Sequence, residues 1–437
     1  MATLTFKGGI HPFEGKGLSK EKKISEYLPQ GDLVIPVSQH IGAPAEIIVN
    51  PGDKVLMGQL IAKASGVISA NVHSSVSGKV KSIEKRMLPS GNMCDCIIIE
   101  NDHMYEEVQT NDFRSLDMLT NDEIIELIKN AGIVGMGGAG FPTHVKLSPK
   151  NPENIEYIIV NGAECEPYLT SDYRRLIEEP ELILEGLKIV LRLFPNAKGI
   201  IAIEDNKLDA IVKMKKFTKS IKNISVCELF TKYPQGGERA LIHAITGRNI
   251  NSSMLPSDAG CIVQNIDTIY AVYCAVILKK PLINRIVTVT GDAIRRPMNY
   301  KVPIGTSYDE LIADSGGFKK KINKIISGGP MMGIALTKTD VPITKGSSAI
   351  LCLSYDETIC KETNCINCGR CAKACPGRII PSLVAKAASR RDKETFIRLN
   401  GMECCECGCC SYVCPAKKNL TQTIKSMRKE ILSDRKK

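Results

Sequence analysis

Short β-branched runs dominate the first hundred residues. Val34 to Val37, Ala45 to Val49, Gly58 to Ala62 and Gly78 to Ile83 are separated by the turn formers Pro51-Gly52-Asp53, Gly66 and Pro89-Ser90-Gly91, so this part reads as β. At Thr120 the period changes. Thr120 and Glu123 form a capping box, and Ile124, Ile125, Leu127 and Ile128 give the helix behind it one apolar face. A buried-type strand at Tyr157 to Val160, a helix from Pro180 to Leu193 and a strand from Gly199 to Ile203 continue an α/β alternation. A second mixed segment opens at Asn284, with a strand through Ile286 to Thr290. Beyond Tyr355 the chain turns cysteine-rich, with helices around Pro381 to Arg391 and Glu394 to Arg398. The tail from Thr423 to Lys437 is basic and helix-competent. Its default reading is a solvated helix, with docking to a partner or a membrane as the alternative.

At 437 residues the chain has room for several cores. Its longest apolar stretch, Ile269 to Leu278, stops at Lys279, Lys280 and Pro281. A spanning helix needs about 20 residues, so this reads as a buried core helix. The first residues lack the apolar core of a signal peptide.

The cysteines carry the sharpest signal. Cys365, Cys368, Cys371 and Cys375 precede Pro376, and Cys404, Cys407, Cys410 and Cys414 precede Pro415. Both runs read C-x2-C-x2-C-x3-C-P, the bacterial spacing for a [4Fe–4S] cluster, in which the cysteine before proline ligates the other cluster. The expected sets are therefore Cys365, Cys368, Cys371 with Cys414, and Cys404, Cys407, Cys410 with Cys375. Zinc sites pair two short knuckles and do not need this third and fourth member. Cys405 and Cys409 read as bystanders. Cys94, Cys96, Cys165, Cys227, Cys261, Cys274, Cys352 and Cys360 are scattered and read as buried small hydrophobes. A reducing cytosol fits this usage. The six histidines show no ligand spacing.

Charge and aromatic content narrow the partners. The formal charge is +11, reduced once eight thiolates sit on clusters. The remainder either attracts acidic proteins such as ferredoxins, or an anionic membrane, or is simply solvated. With no Trp and 5% aromatics, a base-stacking nucleic-acid surface is disfavoured.

Gly135, Gly137 and Gly140 match the letters of a dinucleotide fingerprint. That fingerprint follows a strand and opens a helix, whereas this loop follows the capped helix and runs into Phe141-Pro142. With Gly138 it still lets backbone N–H groups approach an anion or a flat ring. The stretch Gly135 to Lys146, together with Val160-Asn161-Gly162-Ala163-Glu164-Cys165-Glu166-Pro167, Gly236-Gly237-Glu238 and Val263-Gln264-Asn265, resembles the flavin-bearing subunit of respiratory complex I. Phe6 to Pro12 and Pro36 to Pro44 narrow the resemblance to the RnfC family of Rnf electron-transport complexes, over about residues 4 to 420. Asn50 to Ile61 also resembles lipoyl- and biotinyl-type sandwiches. A carrier would hold a lysine at the tip of the exposed hairpin that follows, and Ser69 to Val76 has none.

The resemblance implies four units. They are a barrel-sandwich hybrid (1–110), an α/β FMN- and NADH-binding domain (111–283), a β-grasp domain (284–350) and a helical two-[4Fe–4S] module (351–437). It implies that Gly135, Gly137, Gly138, Gly140, Lys146 and Asn161 hold FMN, that Phe141 stacks on or lines the nicotinamide nucleotide site, and that Glu238 is a cofactor-binding residue. Glu164 and Glu166 would lie near flavin and nicotinamide, and Gln264 and Asn265 would close the phosphate side. The complex I pattern has a second acidic residue where Gly237 stands and asparagine where Gln264 stands. The implied activity is electron transfer between NADH, FMN and both clusters. The setting would be the cytoplasmic face of a membrane-bound, Na+- or H+-translocating ferredoxin:NAD oxidoreductase, with ferredoxin met directly or through another subunit. Alternatives are a cobalamin reductase built from the same modules, or an electron relay with a vestigial flavin site.

Overall fold

A computed structural model describes residues 3–109, 114–356 and 358–434. The early β runs pair into two sheets. One orders Leu33–Pro36, Met93–Asn101, Gly78–Met87 and Lys54–Val55, and the other Glu46–Ile47, Leu60–Lys63 and Val72–His73. Leu33, Ile35, Ile61, Val76, Ile97 and Ile99 are fully buried between them, as alternation along half-buried strands requires. The segment Ser69 to Val76 is not an exposed hairpin tip. Ser69, Asn71, His73, Ser74 and Ser75 are buried, and the exposed turn is Ser65 to Ile68, where Val67 is 82% exposed. The position a carrier would expose is a joint here. The Lys345 ammonium donates to the carbonyls of Asn71 and Gly132, both at 2.6 Å, and Asn71 donates to Asn130. Burial pulls Lys345 down to about 7.

The α/β unit has a four-stranded parallel sheet ordered Ile224–Leu229, Lys198–Glu204, Tyr157–Gly162 and Cys261–Asn265. Its two inner strands carry unbroken apolar runs, Ile158 to Val160 and Ile200 to Ile203, because both faces are covered there. Asn121–Asn130 begins at the expected capping box, with Thr120 Oγ1 accepting from Glu123 N–H and Glu123 accepting from Thr120 N–H. Pro180–Leu193 starts on its proline and packs against Ile266–Val276. The connection from Tyr157–Gly162 leads to one side of that strand, and Cys261–Asn265 adds on the other. The crevice at their carboxyl ends is thus the topological switch point, where α/β sheets bind ligands.

The third sheet orders Ile24–Glu26, Met298–Pro303, Asn284–Thr290, Ala349–Leu353, Lys324–Ser327 and Ile334–Leu336. Its first strand comes from the N-terminal segment, which precedes the sandwich and pairs elsewhere. Arg285 ties this sheet to the α/β unit. It donates to Asp267 Oδ2 at 2.6 Å and to the Ser347 carbonyl, while Arg175 holds Asp267 Oδ1 at 3.0 Å. All three charged side chains are buried.

Helices Arg370–Ala374, Pro381–Ser389, Lys393–Arg398, Cys409–Tyr412 and Leu420–Asp434 form the cysteine-rich module. The tail is not a solvated helix. Leu420, Ile424, Met427 and Ile431 recur at helical spacing and are buried against Pro381–Ser389; residues 435–437 lie outside the described residues. Among the described residues, no helix is long and apolar enough to cross a membrane.

Candidate functional site

Every pocket residue expected from the sequence lines one cleft. Gly135, Gly137, Gly138, Gly140, Phe141, Lys146, Asn161, Glu164, Glu166, Glu238, Gln264 and Asn265 surround a volume of about 1990 Å³ at the switch point. That exceeds the roughly 300–1,000 Å³ of a single small-molecule pocket, leaving room for two nucleotides.

The glycine loop forms a wall pinned from behind. Met136 N–H donates to Thr268 Oγ1, Arg285 reaches Met136 Sδ, and Gly135 N–H bonds the Phe141 carbonyl. A Cβ on Gly137 would fall 2.8 Å from the Asn265 Cβ, whereas one on Gly138 would meet nothing within 4 Å. Gly137 is therefore glycine for packing, and Gly138 leaves its backbone open to the cleft. Asn265 accepts from Asp267 N–H as a helix cap and donates to Asp172 at 2.7 Å. Asn161 spans the floor, donating to the Gly236 carbonyl and accepting from Ala163 N–H. Lys146 and Glu238 pair at 2.9 Å.

The carboxylates sit on a strained turn. Glu164 has φ 45°, a conformation that non-glycine residues hold only where surroundings impose it. Its Oε1 accepts from Asp172 N–H at 2.7 Å, and Lys16 stands 3.8 Å from its Oε2. Burial pushes its carboxyl up. Glu166 accepts from the N–H groups of Met331 and Met332 in the β-grasp sheet's loop. Burial pushes it up to about 7. Its Oε2 and the Gln264 Nε2 are buried without a hydrogen-bond partner, although buried polar atoms are nearly always paired. Open backbone beside Gly138 and these unpartnered polar atoms fit a flat, polar-edged group such as FMN.

Sequence reading missed several residues here. Asp172 lines the cleft and is pushed up to about 8 by burial, Glu164 and Asp267; its only local signal is an acid in the first turn of Ser171–Glu178. Tyr233, Cys165 and Arg285 also line the cleft. Cys165, expected as a scattered hydrophobe, accepts from Gly236 N–H. Cys360 is exposed rather than buried.

The second cysteine run lies against this floor. Cys407 and Cys409 are buried with Ile10, Tyr233 and Ala374, and Cys165 and Met331 pack on the same group. Cys409, an expected bystander, directs its thiol at the Tyr233 carbonyl. Cys371 and Cys375 of the first run both stand near Cys410 and pack on the same core as Cys404. Cys365 and Cys368 are exposed. Among the described residues no three of these side chains converge as ligands of one ion would; a cubane cluster spreads its thiolates over four corners.

The sequence matches three family descriptions: an RnfC barrel sandwich hybrid domain over residues 4–104, a Nuo51 FMN-binding domain over 128–274 and an SLBB domain over 286–335. It is 45% identical to the C subunit of the proton-translocating ferredoxin:NAD(+) oxidoreductase complex of Clostridium ljungdahlii, covering 98% of this chain and 94% of that one. The chain belongs to the RnfC family. Its counterpart in the Na(+)-translocating ferredoxin:NAD(+) oxidoreductase complex of Acetobacterium woodii is 41% identical over 99% of this chain and 98% of its own length. The one in the ion-translocating oxidoreductase complex of Rhodobacter capsulatus is 41% identical over 87% and 74%. The FMN-binding match spans the cleft's glycine loop, Asn161 and Asn265, so this RnfC chain carries its flavin-type domain where the geometry places the cleft.

Proposed function

We propose that this chain is the redox subunit of an ion-translocating ferredoxin:NAD oxidoreductase, passing electrons between NAD(H), FMN and two [4Fe–4S] clusters. One observation carries the reading. The switch-point cleft gathers the glycine loop, Asn161 and both carboxylates, and the cysteines of the second run pack against its floor through Tyr233 and Cys165. A flavin, when bound, exchanges a hydride's two electrons on one side and single electrons on the other. The protein's part is positional. The loop's N–H groups and Lys146 hold the phosphate-bearing ligand, Asn161 and the Glu164 turn set the floor, and Phe141 offers a flat face to the nicotinamide. Burial pushes the Glu166 carboxyl up to about 7, so near neutral pH it carries less negative charge into the cleft than an exposed carboxylate would.

In this reading the crossed sets stand, Cys404, Cys407, Cys410 with Cys375 and Cys365, Cys368, Cys371 with Cys414. The first set lies nearer the cleft and the exposed one faces the other subunits or ferredoxin. The four expected units, 1–110, 111–283, 284–350 and 351–437, act as frame, cleft, clamp on Glu166 and electron outlet. With no spanning helix among the described residues, attachment to the cytoplasmic face of the membrane runs through partner subunits. The test is anaerobic reconstitution, flavin and iron analysis, then NADH addition in the spectrophotometer. Flavin should bleach first and iron–sulfur absorbance second. Cys407→Ser should keep the first phase and lose the second. A chain that binds no flavin, or a variant that retains full transfer, would overturn the proposal.

A further inference from the structure

The N-terminal motif Phe6 to Pro12 has no place among the cleft or cysteine residues, yet the structure uses it continuously. Leu4 pairs with Leu229 at the edge of the parallel sheet, its N–H on the Glu228 carbonyl and its carbonyl taking Phe230 N–H. Lys232 covers the Phe6 ring at 3.9 Å and donates to the carbonyls of Phe6 and Gly8. Gly9 N–H then bonds the Ala374 carbonyl at 2.9 Å, directly before Cys375. Ile10 exchanges both backbone hydrogen bonds with Tyr233 at 2.9 Å and is buried with Tyr233, Ala374, Cys407 and Cys409. Further on, Glu14 accepts from Tyr168 N–H. The buried Lys16 ammonium donates to the carbonyls of Glu164, Glu166 and Leu169.

One peptide therefore touches the cysteine module at Ala374–Cys375, the floor at Tyr233 and the carboxylate turn at Glu164–Leu169. Nothing but glycine fits where it passes. Gly8 and Gly9 have φ of 86° and 84°, a Cβ on Gly8 would stand 2.9 Å from the Cys375 carbonyl oxygen, and one on Gly9 2.8 Å from that of Tyr233. A side chain at either position lifts the strap from the module. Lys16, deep in the protein with three carbonyl acceptors, holds the other end. A buried ammonium costs stability unless it is fully hydrogen-bonded, and here those bonds bind the strap to the turn carrying both carboxylates.

We propose that residues 4–16 are a positioning strap that sets the distance between the cleft and the nearer cysteine set, with Gly8, Gly9 and Lys16 as its positioning residues. This rests on the electron route proposed above. Each electron leaving the cleft arrives on the cysteine module, and the strap changes neither the donor nor the acceptor.

The test compares wild type with Gly8→Ala in the reconstituted full chain, with Gly52→Ala as control. Gly52 also has a left-handed φ, 99°, but a Cβ there meets nothing within 4 Å. In rapid mixing with NADH, Gly8→Ala should bleach its flavin as wild type does. Iron–sulfur reduction should slow severalfold, because the rate of electron transfer falls exponentially with the distance between donor and acceptor. Hydrogen exchange at Gly9 and Ile10 should rise in the reconstituted chain, and Gly52→Ala should show none of these changes. If Gly8→Ala loses iron, Lys232→Met decides the matter, since it removes the donors to Phe6 and Gly8 without touching a cysteine. Wild-type second-phase rates together with unchanged exchange would overturn the strap. A wild type without two phases would instead overturn the electron route.

Discussion

Replacing Gly138 by alanine separates the cradle from the fold that carries it. Its Cβ would meet no atom within 4 Å, and its backbone is outside the left-handed region. The cofactor-free chain should keep its stability to within about 0.5 kcal/mol, as surface changes do. The methyl group then stands in the space assigned to FMN. Overpacking a filled site costs about 1–3 kcal/mol, which weakens binding by about 5- to 150-fold at 1.4 kcal/mol per decade. Gly137→Ala, one residue away, should behave oppositely. Its Cβ would fall 2.8 Å from the Asn265 Cβ and 2.9 Å from Nδ2, displacing a side chain that caps Ile266–Val276 and donates to Asp172. Losing the cap costs about 1 kcal/mol, and losing the bond to Asp172, whose raised pKa leaves it mostly neutral, about 0.5–1.5 kcal/mol. A loss of roughly 1.5–2.5 kcal/mol lowers the Tm of the α/β unit by roughly 3–10 °C. The assays are flavin-fluorescence titration with FMN and thermal unfolding of the cofactor-free chain. If Gly138→Ala binds FMN with wild-type affinity, the loop does not cradle it.

Other expectations follow from the same geometry. Cys375→Ser should reproduce the iron content and reduced-state EPR spectrum of Cys407→Ser, while Cys414→Ser should match Cys368→Ser; the reverse pairing would refute crossed ligation. Asp267→Ala leaves the buried Arg285 guanidinium without a carboxylate, while Arg175 keeps Glu179, so it should cost about 3–5 kcal/mol, and a melting temperature equal to wild type would contradict the buried network. Glu166 binds its proton more tightly folded than unfolded, so its stabilising contribution is complete below the ordinary carboxylate pKa and is lost as pH rises through about 7. Between pH 6 and 8 the wild type should lose about 1 kcal/mol relative to Glu166→Gln, and parallel stability curves over that range would disprove it.

Much of the site was legible because its signals are local. A capping box, a glycine loop and cysteines spaced by two and three residues act within one or two turns of chain, so their meaning survives without the fold. Even so, the tail helix was misread. Its basic residues are evident, but the value of Leu420, Ile424, Met427 and Ile431 depends on Pro381–Ser389 lying opposite. The hairpin at Ser69 to Val76 was misjudged for a related reason. Its small polar residues look exposed until the Lys345 ammonium is seen to reach the Asn71 carbonyl from far along the chain.

The sequence alone determined the chemistry: two cluster-type cysteine runs, a glycine loop that is no ordinary dinucleotide turn, and the motifs of a flavin-bearing family. Those features are written in residue type and spacing, which folding does not alter. Tertiary structure decided how the parts are joined. It set Cys375 beside Cys410, Cys407 beneath Tyr233, Asp172 on Asn265 and the N-terminal strap across all of them. Each depends on segments distant in sequence meeting in a buried interface, where desolvation and close packing, rather than local periodicity, select the partner.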